Sequence, residues 1–165
     1  MGRLSEVKNG IDNDDYGPFA RALDAYDTLI QESQDWLNQF SPIARQKKPM
    51  LFVDGSLPLG GMMAMIFNAA QEADAIKEFM VDKSIVKRVK ALKGYKEHYN
   101  RDVSDSMANK YADADDDFIS MRELIGEMNL RLECLKGITK GLEILNYQFS
   151  NFVRLRTAGI EDTTI

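Results

Sequence analysis

Cysteine and histidine are almost missing from this chain: Cys134 and His98 are single among 165 residues. One cysteine excludes an intrachain disulfide, a four-cysteine metal site and CxxC redox chemistry. One histidine argues against a His-based metal centre or a His-driven triad. Proline (4 residues) and glycine (11) are too sparse for collagen-like or linker-like composition. No apolar run approaches the roughly 20 residues of a membrane-spanning helix. The longest, Gly60 to Phe67, falls far short. The opening Met1-Gly2-Arg3-Leu4-Ser5-Glu6 has no signal-peptide apolar core, and Glu6 breaks the myristoylation pattern. A lone thiol and no signal predict a reducing, cytoplasmic setting.

Phosphate and metal motifs also fail. Gly55-Ser-Leu-Pro-Leu-Gly60-Gly61-Met62 has the glycine spacing of a phosphate-binding loop, but Gly61 and Met62 stand where Lys and Ser/Thr are needed. Asp113-x-Asp115-Asp116-Asp117 opens like a calcium loop. It then places Phe118 at the obligatory glycine and Leu124 at the closing glutamate. The expectation is a protein with no enzymatic activity, no cofactor and no metal.

What is present is an ordinary globular balance, 44% hydrophobic and 28% charged. The length suits one domain, residues 1–165. The net charge of −5 is unevenly spread. Residues 1–40 hold three basic groups against eight acidic, and residues 113–165 six against ten. Residues 41–112 reverse this, twelve against eight. Between Lys83 and Arg101, seven basic residues face Glu97 alone, a surplus of six.

The pattern is helical throughout. A first helix is expected over 18–40, with Pro18 in its first turn and Ser41-Pro42 as its stop. Residues 41–61 read as an irregular Pro/Gly-rich connection, with Leu51-Phe52-Val53 a possible extended piece. Met62 to Val81 reads as a second helix, Ser84 to Asn100 as a third, and Arg101 to Ala112 as a polar loop. The strongest pattern follows: Phe118, Met121, Ile125, Met128, Leu132, Leu135 and Leu142 repeat at heptad spacing, with Thr139 the weak position. This predicts a long amphipathic C-terminal segment over 115–153, stopped by Gly159. The aspartates before it suit the positive end of a helix dipole. The expected fold is all-α and elongated. The long helix packs on one or more helices, and its seam is covered by the chain's own helices or by neighbouring subunits of an oligomer.

The basic stretch is the candidate site. Lys83, Lys87 and Lys90 fall at i, i+4 and i+7, on one helix face. Arg88, Lys93, Lys96 and Arg101 spread the charge round it. Tyr95, His98 and Tyr99 supply flat rings nearby. Positive charge follows a phosphate backbone and aromatic faces stack on bases, a combination suited to single-stranded nucleic acid. The plainer reading is a solvated lysine-rich helix whose tyrosines pack on the seam.

Three blocks resemble a known family. The first is Trp36-Leu37-Asn38 with Ser41 and Ile43, then Arg45, Lys47 and Lys48. The second is Ala91-Leu92-Lys93 with Tyr99. The third runs from Tyr111 and Ala114-Asp115-x-Asp117 through the long helix to Asn146-Tyr147-Gln148-Phe149-x-Asn151-x-Val153, Arg154 and Ala158-Gly159. Together they resemble the phage recombination mediators and single-strand-DNA-binding proteins of the UvsY type. The resemblance implies a non-enzymatic, ring-forming homo-oligomer of the host cytoplasm. It would bind single-stranded DNA and help load a RecA-like recombinase onto strands coated by a single-strand-binding protein. Lys93 matches a DNA-contacting position of that family. Lys83, Lys87, Arg88, Lys90, Lys96, Tyr99 and Arg101 extend that interface by charge and proximity. The alternative is a phage virion or assembly component, of connector or scaffold type, that binds protein rather than DNA.

Overall fold

The computed structural model describes residues 2–45, 59–98 and 104–158. Every element among them is a helix: α1 (Arg3–Asp12), α2 (Gly17–Arg45), α3 (Leu59–His98), α4 (Asp105–Asp113) and α5 (Asp116–Thr157).

The chain forms two compact units. The first comprises residues 1–23 and 71–132. Its core is Val7 and Ile11 of α1, Phe19 and Ala22 of α2, Ala73, Ile76 and Met80 of α3, Ala108 and Ala112 of α4, and Met121, Met128 and Leu132 of α5. Ala108 and Ala112, one turn apart, present only methyl groups where α4 is buried, so this short helix can sit close to its neighbours. The second unit comprises residues 24–70 and 133–165. It buries Tyr26, Ser33 and Trp36 of α2, Ile66, Ala69 and Ala70 of α3, and Leu135, Ile138, Leu142 and Leu145 of α5. The one polar member, Ser33, donates its hydroxyl to the Leu29 carbonyl at 2.7 Å, so its burial leaves no orphaned donor.

The long C-terminal helix forms as its pattern predicts, over 116–157 rather than 115–153. Asp115 caps it: Oδ1 accepts from the backbone N–H groups of Asp117 at 3.1 Å and Phe118 at 3.4 Å. The seam is buried by the chain's own helices at Met121, Met128, Leu132, Leu135 and Leu142, while Phe118 and Ile125 are only half-buried. Ile138 and Leu145 complete the row, and Ile138, not Thr139, occupies the gap. Thr139 turns its hydroxyl back to the Leu135 carbonyl at 2.9 Å.

Five boundaries differ from the expectation. Helix α1 was not foreseen. Helix α2 runs past Ser41-Pro42 to Arg45, because a proline in a helix's last turns removes one hydrogen bond without ending the helix. Residues 59–61 open α3 instead of belonging to an irregular connection; 46–58, with Leu51-Phe52-Val53, lie outside the described residues. The second and third helices are one 40-residue helix. Ser84 does not cap a new helix; it is buried and donates to the Val81 carbonyl at 2.7 Å, satisfying itself within the turn. Finally, the polar stretch before α5 contains α4, whose cap is Ser104: its hydroxyl accepts from the Met107 N–H at 3.4 Å. Gly159 lies outside the described residues.

Candidate nucleic-acid interface

All six described basic residues of the candidate site lie on α3, in the first unit. Tyr99 and Arg101 lie outside the described residues, and of the His98 side chain nothing is described. As the spacing predicts, Lys83, Lys87 and Lys90 share one face. They line an open cleft of about 400 Å³ with Ile11, Val86 and Ala91. The same cleft holds Asp12, Asp14, Asp115 and Asp117, so four carboxylates meet three ammonium groups there. It is no ready-made phosphate receptor.

The carboxylates that pair with the basic residues of α3 come from two short segments, the end of α1 with the turn after it, and α4. The turn after α1 places Asp14 in the left-handed region, φ 54°, which aspartate tolerates better than most residues. Lys83 Nζ lies 2.5 Å from Asp12 Oδ1. Lys87 Nζ donates to Asp14 Oδ1 at 3.2 Å and to Tyr16 Oη at 3.4 Å. Burial pulls the Lys87 ammonium down, but its bonds to Asp14 and Tyr16 outweigh that, and the net shift is upward. The second segment is α4. Arg88 Nε donates to Asp113 Oδ1 at 2.6 Å and Nη2 to Asn109 Oδ1 at 3.2 Å. Lys96 Nζ donates to Asp105 Oδ1 at 2.5 Å. The hydrogen bond from Arg88 holds the Asp113 carboxyl below its usual range and raises the guanidinium; Lys96 likewise lowers Asp105.

Four of the six described basic groups thus carry an acidic partner from the same unit. Lys90 and Lys93 are exposed and make no ion pair with a described residue. Among the rings, Tyr95 packs against Tyr111, centroids 5.5 Å apart and planes tilted by 34°. Its partner is thus a ring of α4 and not the seam of α5. The sequence reading missed Asp12, Asp14, Asp105 and Asp113. The advance sign of Asp12 and Asp14 was the acidic surplus of residues 1–40, and of Asp113 that of residues 113–165, neither of which says which cation each acid meets; Asp105 lies in the basic stretch and had no such sign.

The outer side of this half of α3 is apolar. Ile85 is 55% exposed, Val86 62% and Val89 42%. Among the described residues, no three His, Cys, Asp or Glu side chains are grouped to hold a metal ion, and no helix is long and apolar enough to cross a membrane. No known protein family matches the chain, and no curated protein or solved structure is similar to it.

Proposed function

We propose that the chain is a non-enzymatic helical protein that binds single-stranded DNA along the C-terminal half of α3. In this reading it acts in the cytoplasm as a recombination mediator, helping a RecA-like recombinase onto strands coated by a single-strand-binding protein. The observation that carries the reading is the pair Lys90 and Lys93, exposed on one helix without a carboxylate partner among the described residues. Lys93 also stands in the block that resembles the UvsY-type proteins. The four paired cations remain usable, because exposed ion pairs contribute only about 0–1 kcal/mol. A phosphate can therefore replace a carboxylate at little cost.

A second reading, a virion or assembly component that binds protein, is favoured by the exposed Ile85, Val86 and Val89. Fluorescence anisotropy with a labelled oligo-dT strand at two salt concentrations separates the two. The DNA reading expects binding that weakens with salt and weakens further in Lys90→Ala/Lys93→Ala. A folded wild-type chain that leaves the strand's anisotropy unchanged refutes it and transfers the weight to protein binding.

A further inference from the structure

Helix α3 carries apolar residues on two sides, and the described residues cover one of them. Met80 and Ser84 are buried. At about 100° per residue, Ile85 and Val89 point roughly 140° away from them. They are exposed β-branched residues, which hold a helix less well than lysine, glutamate or alanine would. An apolar stripe on the solvent side of an amphipathic helix calls for a covering surface.

The charges at its two ends identify one. Exposed Glu78 and Asp82 precede the stripe; exposed Lys93 and Lys96 follow it. Laid antiparallel on an identical helix, centred on Lys87, each residue meets the one whose number completes 174. Ile85 then meets Val89, Val89 meets Ile85, and Glu78 meets Lys96 at both ends. Asp82 comes one position from Lys93. A parallel pairing would oppose like charges throughout. Self-complementarity of this kind is what a two-fold interface requires. We infer that the outward face of α3 from Glu78 to Lys96, about 27 Å of helix at 1.5 Å per residue, docks a second copy of this chain in antiparallel register. The bond from Lys96 to Asp105 does not compete strongly, since the Asp105 side chain is 84% exposed and such pairs exchange readily.

The inference stands apart from the DNA reading, and the two compete for Lys93, which the dimer sets near Asp82; its readout is mass. Sedimentation equilibrium of the full chain should give a concentration-dependent dimer. Ile85→Asp places a carboxylate on each side of the stripe at a position the monomer leaves exposed. With the helical circular dichroism unchanged, it should raise the dissociation constant at least tenfold, about 1.4 kcal/mol. Lys96→Glu should also weaken the dimer, and Glu78→Lys/Lys96→Glu should restore it, because the swap rebuilds each end contact with reversed sign. Loss of the Asp105 contact alone would not be restored by that second change. A monomeric wild type at every concentration overturns the inference. So does a folded Ile85→Asp chain that associates like the wild type, or a charge swap that fails to recover association. An unchanged mass with loss of oligo-dT binding in Ile85→Asp would assign the stripe to DNA instead.

Discussion

Replacing Gly10 with alanine should destabilise this protein, although the same change in most helices is favourable. Gly10 lies near the end of α1 and is buried. Its carbonyl accepts from the N–H groups of Asn13 and Asp15, each at 2.9 Å. A Cβ there would lie 2.5 Å from the Asp15 carbonyl oxygen and 3.0 Å from Pro18 Cγ. The nearer contact is backbone, which cannot swing aside as a flexible side chain can. Overpacking of this kind costs about 1–3 kcal/mol, and the backbone clash places it near the upper end. Alanine's helix propensity offsets about 1 kcal/mol. The net loss is about 2 kcal/mol, a fall in Tm of about 4–8 °C for a chain of this size. Gly126 in α5 is the control: exposed, helical, with nothing within 4 Å of an added Cβ. Gly126→Ala should raise Tm by about 2–4 °C, since alanine holds the helix better by about 1 kcal/mol. The assay is thermal unfolding followed by circular dichroism at one fixed protein concentration, because self-association would make Tm depend on it. A Gly10→Ala chain that melts at or above the wild type refutes the argument.

Other consequences follow from the same contacts. Leu142→Ala, in a fully buried position of α5, should cost about 2–5 kcal/mol in urea unfolding, with the slope against urea unchanged. The hydrogen bonds from Lys96 and Arg88 hold the Asp105 and Asp113 carboxyls below the usual carboxylate range, so their stabilising pairs are complete above that range and are lost as pH falls through the lower folded values. Asp105→Asn/Asp113→Asn should therefore unfold at less urea than the wild type at neutral pH, with the gap closing below about pH 4; a gap that persists into stronger acid would refute that assignment. Lys87, whose pKa is raised, works in the opposite sense. Its pairing stabilises below the ordinary lysine range and is lost as pH climbs through the higher folded value. Lys87→Met should thus flatten the stability decline at the alkaline end of a urea-midpoint series.

The long C-terminal helix was legible because two independent signals agree there: a heptad row and a run of aspartates at the positive end of the helix dipole. Elsewhere a local signal competed with tertiary packing and lost. Ser84 has the chemistry of a helix start, yet it closes a buried row that runs through Ala73, Ile76 and Met80, the helix continues past it, and the hydroxyl folds back on its own turn. Ser41-Pro42 looks like a stop, but proline's cost is finite and local. The candidate site was legible as a basic helix face and no further. Lys83 and Asp12 are far apart in sequence, as are Lys87 and Asp14, and no spacing rule links them. Apolar residues on both sides of α3 also hid its orientation, since Val81, Ile85 and Val89 recur at helical spacing as readily as a buried row does.

The acids along α3 bear on how a strand would feel ionic strength. Each lysine that meets a phosphate frees a cation condensed on the strand. A lysine that leaves a carboxylate to do so strands that carboxylate, which gathers a cation in its turn. Lys83, Lys87, Arg88 and Lys96 would thus contribute little net ion release, while Lys90 and Lys93 would contribute fully. At about −0.7 per phosphate on a single strand, the logarithmic salt slope would be about −1.4 rather than the −4 or so of six uncompensated cations. Such an interface would give up affinity slowly as salt rises, its own aspartates acting as exchange ligands for the backbone it holds.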